Sequence, residues 1–352
     1  MFWTAAEKPV FVHIGLAKTA TTALQRKYFS GTPAINYLGK KRVTTELRTQ
    51  NIALTRHPAR LYDPAEARRV FQKHLAMRGV AVFSEEDLTS YNFLHPREQG
   101  TRIKQLFRNP RIIYVTRKPL EWAKSFYFFR LSTYDSGTFD GINPWLDAQL
   151  SDPDPESKLA RLRFTETFRA FHDGAGRPPF LILPYEMMAK DTDAFLAKIE
   201  AFMGLNGELR QLRDLPDNDK MKKRKMKNRI TLHQANFIRT LSLYHTDRTR
   251  FMERAARFAA VGNAKLQRRF EALREAEGIG PEHWFFFFDK VERRIAPAAG
   301  ADGELRALLS EPDDYEIRPD LQKRFTEIEA RETSILRREY DTDLTQFGYD
   351  SA

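Results

Sequence analysis

The residues best suited to chemistry cluster in HIGLAKTATTALQRKYF, residues 13–29. The segment follows a short apolar run and opens a stretch of helical period. A strand that turns into a helix aims backbone N–H groups and the positive end of the helix dipole at one spot, which suits a phosphate. Lys18 adds a full positive charge there, and Thr19, Thr21 and Thr22 add hydroxyl donors with little bulk. A Walker A loop would need glycines at positions held here by Val12 and Ala17, so the segment is a different kind of phosphate binder.

A second constellation lies in RIIYVTRKPLEWAKSFYFF, residues 111–129. An apolar run ends at Thr116, Arg117 follows, and Pro119 opens a helix that carries Ser125 eight residues after the arginine. Guanidinium donors engage anionic oxygens in pairs, so a strand-end arginine suits an anionic ligand. A magnesium-dependent nucleoside triphosphatase would need an aspartate at such a strand end, and this one ends in Thr-Arg. A third group, FSEED at residues 83–87, places Glu85 and Glu86 just past another apolar run. A carboxylate at that edge can take a proton from a reacting hydroxyl. The same letters also fit a purely structural use, with Ser84 capping a helix and Glu86 or Asp87 complementing its dipole.

These groups need a scaffold that brings strand ends together. Pro9–Ile14, Val80–Phe83, Arg111–Thr116 and Phe180–Leu183 are short continuous apolar runs, the pattern of strands buried on both faces. Helical periodicity fills the intervals at Thr22–Phe29, Pro64–Met77, Leu120–Arg130, near Lys158–Phe171 and at Thr192–Met203, with Gly204 as a C-cap. Strands alternating with helices predict an α/β fold, P-loop-like and three-layered, around a central parallel sheet. Pro9–Ile14 and Arg111–Thr116 are expected as neighbouring parallel strands. A mainly helical insertion is expected over about residues 207–313, and a C-terminal helix over about 319–340 with Leu321, Phe325, Ile328, Ile335 and Leu336 on one stripe. The whole chain reads as one domain.

In this order the motifs resemble those of sulfotransferases that use 3′-phosphoadenosine 5′-phosphosulfate (PAPS), in the form common among bacterial members. Residues 13–29 are similar to the family's 5′-phosphosulfate loop, with Ala20 where glycine is frequent; Arg117 and Ser125 resemble its 3′-phosphate motif. LILPYEMMAKDTDAFLAKIEAFMGL, residues 181–205, and the tail YDTDLTQFGY agree, so the likeness covers about residues 8–205 and 315–349. The resemblance implies transfer of a sulfuryl group from PAPS to an acceptor hydroxyl on a carbohydrate or other small or lipid-linked molecule, leaving PAP. It implies donor contacts from Lys18, Thr19, Ala20, Thr21, Thr22, Arg117 and Ser125, and hence that Pro9–Ile14 and Arg111–Thr116 are neighbours whose ends hold the two phosphates of one nucleotide. Lys18 would stabilise the leaving phosphate. Some branches of the family use a glutamate as general base and others a histidine; Glu85 is the first choice here, with Glu86 and His95 as rivals.

Composition narrows the rest. The chain has no cysteine, which excludes disulfides, thiolate catalysis and cysteine-based zinc sites, and its eight histidines form no HExxH pair, so no metal is expected. The apolar stretch at Val10–Leu16 reads as a first strand rather than a leader, and the expected location is cytoplasmic, with peripheral membrane contact left open. The net charge of +11 is concentrated in KMKKRKMKNR, residues 220–229. That run reads as a solvated face, an anion-binding segment or a cover for the 3′-phosphate. It also carries the rival reading, a non-catalytic binder of nucleic acid or another polyanion, although no nucleic-acid partner is expected. The aromatic run Trp284–Phe288 reads as core, with a substrate platform or membrane edge as alternatives. Nothing in the sequence specifies the acceptor or an oligomeric state.

Overall fold

The computed structural model describes residues 8–39, 44–89, 94–131, 141–151, 162–212 and 316–349. Five strands form one parallel sheet: β1 (Val10–Gly15), β2 (Ile35–Tyr37), β3 (Val80–Ser84), β4 (Pro110–Thr116) and β5 (Phe180–Pro184), in the order β2-β3-β1-β4-β5. The four apolar runs of the sequence are strands to within about a residue at each end, and β2 is an addition. Its three residues, Ile-Asn-Tyr, are too short a run to stand out. Pairing with Val80–Val82 of β3 makes it a strand.

β1 pairs with β4 from Val10–Pro110 to Gly15–Val115, as the two-phosphate argument requires, and with β3 from Val10–Ala81 to His13–Ser84. The strands are β-branched and apolar because both faces are covered. On one face Phe11, Val82, Ile113 and Val115 pack with Leu24, Tyr28 and Phe29 and with Phe195, Leu196 and Ile199. On the other, Phe83 meets Phe71 and Phe107 at ring-centroid distances of 5.6 and 5.9 Å, and Tyr114 stacks on Phe168 at 5.1 Å. Helices on both faces of a parallel sheet make the three-layer α/β arrangement.

After β1 the chain enters α1 (Thr21–Ala23), which passes directly into a π-helical stretch, Leu24–Phe29. The regular helix expected over Thr22–Phe29 is therefore widened, with the Ser30 N–H reaching back to the Gln25 carbonyl at 3.2 Å. The remaining helices are α2 (Thr45–Arg56), α3 (Pro64–Leu75), α4 (Pro96–Leu106), α5 (Pro119–Leu131), α6 (Ile142–Leu150), α7 (Phe164–Gly174), α8 (Tyr185–Lys190), α9 (Thr192–Met203) and α10 (Pro319–Tyr340). α9 has the expected bounds, with Asp191 capping the Ala194 N–H at 2.9 Å and Gly204 in the left-handed region at φ 72°. α7 begins at Phe164; Lys158–Arg161 of the expected helix lie outside the described residues.

The stripe of α10 differs from its apolar reading. Leu321, Phe325 and Leu336 are buried, but so are Glu329 and Glu332, while Ile328 and Ile335 are half-buried. Glu332 is used as a cap from another helix: its Oε2 accepts the Thr165 N–H at 2.8 Å, in the first turn of α7. Burial holds the Glu332 carboxyl above the usual carboxylate range, partly offset by that bond.

The described residues cluster in two compact units. Those within 8–123, 148–212 and 319–349 form the first, which contains the sheet; those within 124–147 and 316–318 form the second. In the second, Trp145 packs on Phe126 and Tyr127 at 6.3 and 5.5 Å, and Asn143 bonds the Glu316 carbonyl and the Arg318 N–H. The helical insertion expected at 207–313 lies, beyond Leu212, outside the described residues. So do the basic run at 220–229 and the aromatic run at 284–288. No helix among the described residues is long and apolar enough to cross a membrane.

Candidate active site

Ligands of open α/β sheets gather beyond the carboxyl ends of the strands, where the chain order reverses. Here that point is the end of β1, flanked by the ends of β3 and β4. The residues that follow these three strands are Leu16–Ala20, Glu85 and Arg117.

The loop after β1 turns through two non-glycine residues in the left-handed region, Lys18 at φ 73° and Ala20 at φ 58°. An L-residue there costs roughly 1–2 kcal/mol, and the loop's hydrogen bonds oppose it. Thr19 Oγ1 donates to the Leu16 carbonyl at 2.6 Å and lies 3.4 Å from Thr21 Oγ1. The Ala17 carbonyl accepts the Trp122 indole N–H at 2.7 Å, and the Gly15 carbonyl accepts the Thr89 hydroxyl at 3.1 Å. Gly15 is needed for close approach: a Cβ there would stand 2.8 Å from Thr19 Oγ1 and 3.0 Å from Thr21 Oγ1. Thr19 and Thr21 are buried, Lys18 and Ala20 half-buried and Thr22 exposed.

Beneath the loop lies a polar network absent from the sequence reading. His13 Nδ1 sits 2.7 Å from Ser84 Oγ, and the Gln25 amide donates to Ser84 Oγ and its carbonyl at 3.2 and 3.3 Å. All three residues are buried. Burial pushes the His13 imidazole down to about 3, so it is neutral. The reach of Gln25 across to β3 coincides with the π-helical widening, a distortion that often accompanies functional sites.

On the β3 side, Glu85 is buried, and its N–H donates to the His13 carbonyl at 3.3 Å. Glu85 Oε1 accepts the Asp87 N–H at 3.4 Å. Asp87 is held by Arg56 at 2.6 Å. The capping role read for Ser84 is therefore not what the fold uses: its hydroxyl belongs to His13 and Gln25, and Glu85 itself reaches the turn. Among the rival bases, Glu86 is next in the chain and half-buried. His95 instead caps α4, its Nδ1 accepting the Arg97 N–H at 3.2 Å.

On the β4 side, Arg117 Nη1 donates to the Lys18 carbonyl at 2.9 Å, and the guanidinium lies 4.6 Å from the Tyr185 ring centroid. Among the described residues, Arg117 Nε is buried without a hydrogen-bond partner. A buried donor without an acceptor is costly, and an anionic oxygen would relieve it. Lys18 and Arg117, 99 residues apart, are thus brought together. Ser125 lies on α5, in the second compact unit. Trp122 and Tyr185 are site-forming residues that the sequence reading passed over; both stand inside quoted motifs, and only their contacts distinguish them.

The sulfotransferase domain family matches residues 12–258. The chain belongs to that family. Its α/β sheet has the sulfotransferase fold, and sulfuryl transfer is the activity that membership implies. Similar solved structures include a sulfotransferase from Alicyclobacillus acidocaldarius, at 17% identity over 56% of this chain and 82% of that one, with a TM-score of 0.39. Mouse sulfotransferase SULT7A1 complexed with PAP matches at 17% identity over 61% and 66%, TM-score 0.38. The sulfotransferase domain from the curacin biosynthetic pathway matches at 14% over 58% and 77%, TM-score 0.35. No curated protein matches the chain in sequence.

Proposed function

We propose that this sulfotransferase takes its sulfuryl group from PAPS, releases PAP, and delivers the group to a hydroxyl of a carbohydrate or other small or lipid-linked acceptor. One observation carries the reading: Arg117 and the Lys18 loop, from the ends of two adjacent strands, are joined by the Arg117–Lys18 hydrogen bond, while Glu85 follows the strand on the other side of β1. A nucleotide with a 5′-phosphosulfate and a 3′-phosphate needs two cationic anchors held at a fixed spacing.

In the proposed reaction the acceptor oxygen attacks sulfur and the bridging bond from sulfur to the 5′-phosphate oxygen breaks. Negative charge grows on that phosphate, and Lys18 with the loop N–H groups and threonine hydroxyls stabilises it. Arg117 holds the 3′-phosphate. Glu85 takes the acceptor proton. It approaches from the β3 side, opposite Arg117, so proton removal and donor anchoring fall on different strands.

Labelled PAPS tested against a panel of hydroxyl acceptors should give transfer. Glu85→Gln keeps the side-chain size but cannot take the proton. It should lose turnover by roughly 10²–10⁴-fold, the range for a general base, with PAP affinity intact. Near wild-type turnover would move the base to Glu86.

A further inference from the structure

Arg117 is fixed at its backbone as well as at its side chain, and the parts that fix it come from the far end of the sequence. Thr116, just before it, is buried and pairs with Pro184 of β5. Lys118, just after it, has three ties. Its N–H donates to Glu186 Oε1 at 3.0 Å, its Nζ lies 3.7 Å from Glu329 Oε1 of α10, and its Nζ also donates to the Gly348 carbonyl. Glu186 Oε2 accepts the Tyr349 hydroxyl at 2.7 Å. One carboxylate therefore joins the residue after Arg117 to the C-terminal tail. The residue before Glu186 is Tyr185, whose ring the Arg117 guanidinium covers.

The tail is built to stay in place. Leu344 and Tyr349 are buried, and Phe347 packs against the core beside the sheet. Gly348 turns the chain at φ 77°, and a Cβ there would stand 3.5 Å from Lys118 Nζ.

We infer that Glu186 and Tyr349 are positioning residues for the 3′-phosphate: through the Lys118 backbone they hold Arg117 in the orientation that joins its guanidinium to the Lys18 loop. This rests on the donor reading proposed above. It gives the C-terminal tail a share in donor discrimination without any contact to the donor. Residues standing behind a binding group are worth about 10–100-fold at metal sites, where this effect is best measured. A carboxylate behind a guanidinium acts on the same principle but through one more bond.

The test is calorimetric titration of PAP and of AMP, which lacks the 3′-phosphate, into wild type, Arg117→Ala, Glu186→Ala and Tyr349→Phe. Glu186→Ala should weaken PAP by about tenfold and Tyr349→Phe by about threefold, an order below the metal-site upper range, with AMP affinity unchanged in both. Should Glu186→Ala fail to fold, Tyr349→Phe alone decides. Parallel losses for PAP and AMP would mean a merely structural role and would overturn the inference, as would unchanged PAP affinity. Arg117→Ala separates the two levels. If it loses the PAP preference while the other variants keep it, the tail's role falls and the donor reading stands. If Arg117→Ala keeps the preference, the donor reading itself fails.

Discussion

The two halves of the candidate site, at the ends of β1 and β4, are held by different means. The loop after β1 is shaped largely from within, Thr19 bonding Leu16 with Thr21 beside it, though Trp122 and Thr89 also bond its carbonyls from a distance. Arg117 is held from afar, by Lys18, by Tyr185, and through Lys118 by Glu186, Glu329 and the tail. A local device can be read from a contiguous segment, and a distributed one cannot. The local device also carries its strain in its own backbone, at Lys18 and Ala20, whereas the distributed one places none at Arg117.

The largest expected contrast is in pH dependence. His13 is the loop's buried base, pushed down to about 3 from 6.5. An unfolded chain takes up this proton first, so the stability due to neutral His13 is full above about pH 6.5 and is lost as pH falls toward 3. The slope is about 1.4 kcal/mol per pH unit for one proton. Tyr349 on the clamp side runs the other way. Burial first, then the Glu186 carboxylate, pushes its phenol well above 10. Its contribution is full below pH 10 and is lost as pH rises beyond the unfolded value. Denaturant titrations across pH should show His13→Gln flattening only the acid limb and Tyr349→Phe only the alkaline limb. Equal effects of one variant on both limbs would break the contrast.

A smaller effect is expected at Gly15. Its missing Cβ leaves room for two threonine hydroxyls, so Gly15→Ala must displace them. Overpacking of this kind costs about 1–3 kcal/mol. Chemical denaturation should show that loss, together with weaker PAP binding at unchanged preference for PAP over AMP, because the displaced groups face the 5′ side. A changed preference would mean that the two halves are coupled.

The smallest effect has the opposite sign. Ala20 occupies a left-handed position at φ 58°, where glycine carries no Cβ penalty. Ala20→Gly should stabilise the chain by about 0.5–1 kcal/mol, the relief of strain less the entropy that glycine adds to the unfolded state. A drop in melting temperature would show that the loop does not hold Ala20 under strain.

The same division explains what the sequence made legible. Four strands stood out as continuous apolar runs, and the neighbour relation of β1 and β4 followed from the family resemblance of the motifs at their ends. The loop after β1 was legible as a candidate phosphate binder because Lys18 and its threonines are close together in the chain. Ala20 was visible as a departure from glycine, and its positive φ gives the physical reason that glycine suits the position. β2 escaped because it owes its strand character to β3. The His13–Ser84–Gln25 network spans 71 and 59 residues, and the Trp122–Ala17 bond spans 105. No periodicity encodes such pairings. The polar side of α10 escaped for a related reason: Glu329 and Glu332 break an apolar stripe that looked complete without them, and their partners Lys118 and Thr165 lie far away in the sequence.

The most direct measurement of the central claim is a pair of titrations on the intact chain, PAP against AMP, repeated with Lys18→Ala. The account predicts that PAP binds wild type more tightly than AMP does and raises its melting temperature, as a ligand selective for the folded state must. It predicts that Lys18→Ala weakens both nucleotides, because both carry the 5′-phosphate, while the preference for PAP survives through Arg117. Equal affinity of wild type for the two nucleotides, or nucleotide binding indifferent to Lys18, would contradict it.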